Sequence, residues 1–200
     1  MSSPLFNALN RKSEICNEKR KHLTGNEIEK LLEISLEGTH GVRDYCIVYL
    51  SFTHGLRVSE LCSLRLSDID LEERTICIYR LKNGFSTIHP LRDKEVVMLR
   101  AWFKLRDEFN GADSEWVFLS AKGLKISRKR VYSLISNLGV MANIPVKVHP
   151  HMLRHSCGFA LADQGVDTRL IQDYLGHRNI QHTVTYTASN SARFLKLWRA

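Results

Sequence analysis

Thr75-Ile-Cys-Ile-Tyr-Arg-Leu-Lys-Asn-Gly-Phe-Ser-Thr-Ile88 decides the fold class. Two β-branched, alternating runs, Thr75 to Tyr79 and Ser86 to Ile88, flank Lys82-Asn83-Gly84. Asn-Gly between such runs is a strong hairpin signal, because the tight turn needs residues that tolerate positive φ. On either side the apolar period lengthens to that of a helix. Upstream, Thr24 precedes Glu27 by three in a capping-box pattern, and Ile28, Leu31, Leu32 and Leu36 follow at helical spacing. Gly38 and Gly41 are expected to end that helix. Tyr45, Val48, Tyr49 and Phe52 form a second stripe closed by Gly55, and a short helix is expected near Val58. Downstream, Val96, Val97, Leu99, Trp102 and Phe103 predict a helix over 93–109. Trp116 to Leu119 reads as a short strand or turn, and Ser127 as the cap of a helix to about 142. Further helices are expected near 151–164, 167–175 and 180–188, then an amphipathic piece with Phe194, Leu195, Leu197 and Trp198. The expected class is α+β, mostly helical, with one small antiparallel β-sheet.

The net charge is +8, from 29 Lys and Arg against 21 Asp and Glu. Such an excess favours a polyanionic partner, most often nucleic acid. It is uneven. Residues 111–200 hold twelve basic and five acidic side chains, and residues 1–25 five and two. Residues 1–22, closed by Lys19-Arg20-Lys21, read as a flexible basic arm. No stretch approaches the ~18 apolar residues of a membrane span. The first 20 residues are charged without an apolar core, so no secretory signal is expected. The five cysteines are odd in number and include no C-x-x-C pair, which argues against a disulfide framework or a cysteine zinc site. Cys46, Cys62 and Cys77 lie in apolar runs and are expected in the core. A reducing cytoplasm fits that usage.

Four places hold polar residues that helix-core arithmetic does not require: Thr53-His-Gly-Leu-Arg-Val-Ser-Glu60, Lys82, His149-Pro-His-Met-Leu-Arg-His155, and Leu175-Gly-His177 with Tyr186 nine residues on. Singly, Arg57 reads as a surface or capping arginine, Lys82 as solvated and Tyr186 as half-buried. His149, His151 and His155 could form a zinc site, but no acidic or cysteine ligand accompanies them, and no metal is expected. Together the set suits phosphoryl transfer without a metal. Arginine forks bind two phosphate oxygens at once and offset charge that builds in the transition state. Histidine and lysine can move protons near neutral pH, and tyrosine is an oxygen nucleophile. A cationic pocket is expected to favour its phenolate.

These segments resemble the catalytic domain of the tyrosine recombinases, the phage integrase family, from about Leu23 onward. The matching elements are Gly55-Leu-Arg57-Val-Ser-Glu60-Leu, the hairpin Lys82, His151-Met-Leu-Arg154-His155, Leu175-Gly-His177 and Tyr186. Arg80-Leu-Lys-Asn-Gly-Phe-Ser-Thr-Ile-His-Pro90, Thr168 to Asn179 and Tyr186-Thr-Ala-Ser-Asn190 are similar to the fimbrial phase-switch group, which inverts a promoter-bearing DNA element. The resemblance implies residues 23–200 as a catalytic domain with no separate core-binding domain, the arm of residues 1–22 replacing part of that grip. It implies Tyr186 as nucleophile forming a 3′-phosphotyrosyl link, with Arg57, Arg154 and His177 on the phosphate. Lys82 would protonate the leaving 5′-oxygen, His151 would assist proton transfer or orient Tyr186, and Glu60 would buttress the site. His149 and His155 are assigned to packing or backbone contacts. No metal, ATP or other cofactor is implied.

The implied partners are double-stranded DNA with inverted-repeat sites, a tetramer of this chain on two sites, and accessory proteins that bend DNA. The C-terminal segment would dock on a neighbouring subunit or fold back on its own core. Lys19, Arg20, Lys21, Lys122, Lys125, Arg128, Lys129 and Arg130 are the expected DNA-backbone contacts. Three readings compete: a regulatory or architectural DNA-binding protein without strand cleavage, a type IB topoisomerase, and a mobile-element integrase.

Overall fold

The computed structural model describes residues 20–80 and 85–188. Lys19, Lys82 and the C-terminal segment around Phe194 to Trp198 lie outside the described residues. The first helix, α1, spans Gly25–Leu36. The Thr24 side chain accepts from the Glu27 amide, and the Glu27 side chain accepts from the Thr24 amide, so two of the amides at the helix start that lack helical partners are satisfied. Its buried stripe is Ile28, Leu31, Leu32 and Ser35. Gly41 opens the next helix, α2 (Gly41–Thr53), rather than ending the first. Helix α2 is buried along most of its length, and a short helix, α3 (Val58–Cys62), follows the turn at His54 to Arg57.

Three antiparallel strands, β1 (Ile69–Asp70), β2 (Thr75–Ile78) and β3 (Thr87–Pro90), run in the order β1-β2-β3. Ile76 faces His89 and Cys77 faces Ile88 across β2 and β3. This register turns Ile76 and Ile78 inward. Cys77 therefore lies on the outer face, contrary to the core placement expected of it, whereas Cys46, Cys62 and Cys157 are buried. Strand β1 is too short for its pattern to have been read. Trp116 and Leu119 form isolated bridges with Arg65 and Lys125.

The remaining helices are α4 (Asp93–Arg106), α5 (Arg128–Met141), α6 (Pro150–Asp163), α7 (Thr168–Leu175) and α8 (Gln181–Ala188). Ser127 accepts from the Arg130 amide at the start of α5, and Pro150 occupies the first turn of α6, where its missing N–H costs nothing. The main core gathers α1, α2, α4 and α5 around Leu31, Ile47, Leu50, Trp102 and Ile135. A smaller core, Cys157, Ala162, Ile171, Leu175 and Tyr186, joins α6, α7 and α8. The functional groups gather where the α2–α3 turn meets this second core.

Residues 20–22, read from the sequence as the end of a flexible arm, pack on the body. Arg20 forms an ion pair with Glu27 at 2.6 Å, so it is committed to α1 rather than free for a DNA phosphate. The His22 ring stacks on Phe159 with centroids 3.9 Å apart, and the Leu23 amide donates to Ser156 Oγ at 2.7 Å.

Candidate active site

Arg57 stands at the N-cap of α3. Its backbone amide donates to Glu60 Oε2 at 2.9 Å and its Nη1 donates to Glu60 Oε1 at 2.6 Å. Arg154, on the first turns of α6, is 1% exposed. Its Nη1 donates to the Gly55 carbonyl and its Nη2 to the Leu175 carbonyl, the latter at 2.7 Å. Glu60 lies between the two arginines, 3.9 Å from Arg154, and is itself buried. Burial alone would raise the Glu60 pKa, but Arg80, Arg57 and Arg154 together hold it below the usual carboxylate value. Burial, then repulsion from Arg57 and Arg80, pushes Arg154 down to about 9, which still leaves it charged at neutral pH.

Tyr186 lies on α8, buried against α6. A Cβ at Gly158 would come within 2.5 Å of the Tyr186 ring, so a glycine there is what lets the two helices approach. Of the α6 histidines, His155, expected in packing or backbone contacts, is the one that meets the Tyr186 hydroxyl. His155 Nδ1 is 3.0 Å from the Tyr186 hydroxyl. The His151 ring packs edge-on against His155, 4.7 Å between centroids. His177 is buried below the Gly176 turn, with Nδ1 2.9 Å from Thr183 Oγ1. Burial and then Arg154 lower the His177 pKa to about 3; burial and then His151 lower that of His155 to about 4. Both rings are neutral at pH 7. Tyr186 is shifted upward by burial, which outweighs the pull of Arg154 and Arg57, so the expected phenolate is not favoured in the DNA-free protein.

These groups line one cleft of about 380 Å³ that holds Arg57, His151, Arg154, His155, His177 and Tyr186, with Lys21 at its edge. The cleft thus brings together five of the six residues singled out as catalytic; the sixth, Lys82, lies outside the described residues. Sequence reasoning did not place His155 in the cleft, because its proximity to Tyr186 depends on how α8 docks on α6. His149 stacks on Tyr132 instead, and among the described residues no group of three His, Cys, Asp or Glu converges as a metal site. Lys122, Arg128, Lys129 and Arg130 are exposed around the start of α5. Lys125 is exposed too, but its Nζ sits 3.7 Å from the Trp116 ring centroid and donates to Ser63 Oγ at 3.0 Å. Among the described residues no helix is long and apolar enough to cross a membrane.

An arginine pair buttressed by one carboxylate shares this cleft with a tyrosine hydroxyl and neutral histidines, an arrangement suited to holding a phosphodiester. The profile described as Phage integrase family matches residues 21–193, and the chain belongs to that family. It is 57% identical over 187 residues to the type 1 fimbriae regulatory protein FimB of Escherichia coli (strain K12), covering 94% of each chain. It is 51% identical over 181 residues to the type 1 fimbriae regulatory protein FimE of the same strain, covering 90% of this chain and 91% of that one. The solved XerA recombinase superposes with a TM-score of 0.77 at 31% identity, over 88% of this chain. The match spans 63% of that longer chain.

Proposed function

We propose that this chain is a tyrosine site-specific recombinase that inverts a promoter-bearing DNA element and so controls fimbrial expression. The supporting observation is the placement of the Tyr186 hydroxyl, with His155 Nδ1 at 3.0 Å, in one cleft with Arg57, Arg154 and His177. Arginine charge at that end matches the negative charge that grows on phosphate oxygens during transfer. Arg57 and Arg154 bind the non-bridging oxygens. His177, with Nδ1 on Thr183, offers Nε2 to the same phosphate. Tyr186 attacks phosphorus and gives up its proton to His155, supported by His151. A Tyr–O–P bond forms as the bond from phosphorus to the 5′-oxygen breaks, and Lys82 protonates that oxygen. The 5′-hydroxyl then attacks a phosphotyrosine of the partner strand and releases Tyr186. The bond energy is kept throughout, so no ATP is needed.

Residues 23–200 serve as the catalytic domain and residues 1–22 as a DNA-gripping arm, with Lys19, Lys21 and the α5 cluster on the backbone. Four copies assemble on two inverted-repeat sites, with the C-terminal segment exchanged between neighbours and DNA-bending proteins assisting. The setting is the bacterial cytoplasm. A nicked suicide site incubated with the protein should give an SDS-resistant adduct. Tyr186→Phe should lose the adduct and keep site binding, and an adduct retained by Tyr186→Phe would falsify the assignment.

A further inference from the structure

Arg80 follows the last residues of β2, directly after Tyr79, which is 63% exposed. Alternation places Arg80 on the inward face of Ile76 and Ile78, where an apolar side chain is the ordinary occupant. Here the occupant is a guanidinium, 6% exposed and tied to three distant segments. Its Nη1 donates to Glu60 Oε2 at 2.9 Å and to the Gly55 carbonyl at 3.4 Å. Its Nη2 donates to the carbonyls of His54 at 3.2 Å and Tyr174 at 2.6 Å. Its stem runs against Gly176, where φ is +63° and a Cβ would stand 2.7 Å from Arg80 Cγ. The three segments are the turn that carries Arg57, the helix that carries Glu60, and the end of α7 that leads to His177.

A buried guanidinium is an expensive strut. Apolar side chains of similar volume commonly serve as well or better for stability. What the charge does here follows from Glu60, whose two oxygens are shared among three guanidiniums. Oε1 takes Arg57, and Oε2 takes the Arg57 amide and Arg80, with Arg154 only at 3.9 Å. Arg154 has five N–H donors and uses two on the Gly55 and Leu175 carbonyls, so three remain for a ligand. Without Arg80, Oε2 would be free to close on Arg154. Those donors would then be occupied by a fixed carboxylate that competes with the phosphate.

We infer that Arg80 is a positioning residue for the phosphate clamp: it occupies Glu60 and the Gly55 and Tyr174 carbonyls, and so keeps Arg154 open to the scissile phosphate. This rests on the recombinase reading above.

The test is single-turnover adduct formation by the full-length protein at saturating concentration on two suicide sites. One carries the native scissile phosphate and the other a methylphosphonate, whose uncharged methyl replaces a non-bridging oxygen and lessens the demand for a cationic clamp. Arg80→Met should slow the phosphate site on the order of 100-fold and the methylphosphonate site by no more than about threefold, each relative to wild type. Arg80→Lys, which keeps the charge but cannot span four acceptors, should fall between and serves as the reading if the methionine variant does not fold. Equal losses on both sites, no loss on phosphate, or failure of both variants to fold would overturn the inference and leave Arg80 a structural residue. Absence of any wild-type adduct would instead overturn the recombinase reading, and Arg80's role with it.

Discussion

At one end of the cleft three guanidiniums share a single carboxylate; at the other a tyrosine hydroxyl lies among histidines that burial keeps uncharged. The cationic end is joined across the chain. Arg154 reaches Gly55, 99 residues away, and Arg80 reaches Tyr174, 94 residues away. The nucleophile end is made by neighbouring helices, α6 and α8, and the tyrosine is 2% exposed. Fixed positive charge thus stands where phosphate charge is permanent, and neutral groups stand where a proton must leave. A clamp set before DNA arrives costs no reorganisation at the moment of reaction.

The largest expected effect separates two arginines with one chemical role. Arg154→Ala should lower single-turnover cleavage on the order of 10³-fold, and Arg57→Ala similarly. Their structural costs should differ. Arg154→Ala strands the Leu175 carbonyl, leaves Gly55 only the long bond from Arg80, and should reduce unfolding free energy by about 2 kcal/mol. The Arg57 side chain is 28% exposed and bonds mainly to Glu60, so its loss should cost distinctly less. Urea denaturation of both variants reads the difference, and equal losses would contradict the long-range tie assigned to Arg154.

How far the sequence displayed this arrangement depends on which contacts are local. Arg57 and Glu60 are one helical turn apart, and His151, Arg154 and His155 share a face of α6, so their proximity could be read from spacing. Which histidine meets Tyr186 could not. That choice is set by how α8 docks on α6, where Gly158 admits the ring next to His155. Alternation with Ile76 and Ile78 places Arg80 inward, but its partners, the Gly55 turn and the end of α7, are far off in the chain and leave no local signal. Alternation in β2 gives two faces but not which one is covered, and the register of β2 against β3 turns Ile76 and Ile78 inward and Cys77 outward. The Tyr186 phenolate was expected from charge alone, and desolvation reversed the sign.

At the nucleophile end, His155→Phe keeps the ring packing and removes the partner of the Tyr186 hydroxyl. Cleavage should fall about 10²- to 10⁴-fold with site affinity unchanged, the usual scale for a lost general base. His151→Phe should lose less, since it acts through His155. A larger loss at His151 would reverse the order the geometry gives.

Acid should expose a third buried group, behind the clamp. His89 is 2% exposed, 3.1 Å from His54 Nδ1, and burial, then His54 and Arg80, lower its pKa to about 3. Its folded value lies below the unfolded value of about 6.5, so the unfolded chain binds more protons below that pH. Stability is therefore full above about pH 6.5 and is lost as pH falls toward the folded value. By pH 4 this one group should remove about 3 kcal/mol. His89→Gln keeps a hydrogen-bonding side chain near Thr87 and removes the titration. Its melting temperature should fall less than that of wild type between pH 7 and 4, and parallel curves would rule out His89 as the source.

The smallest effect compares two lysines on the basic face. Lys129, exposed in the first turn of α5, has only its charge to give. Lys129→Ala should weaken site binding about twofold to fivefold and reduce the slope of log affinity against log salt by about one, with no change in stability. Lys125 is already placed on the Trp116 ring and on Ser63. Reaching a phosphate would mean leaving both, so Lys125→Ala should cost about 0.5 kcal/mol of stability and change DNA affinity less than Lys129→Ala does. Salt titrations of the two variants on one DNA site measure this directly. A steeper affinity loss at Lys125 would mean that Trp116 holds the ammonium ready for the backbone rather than withholding it.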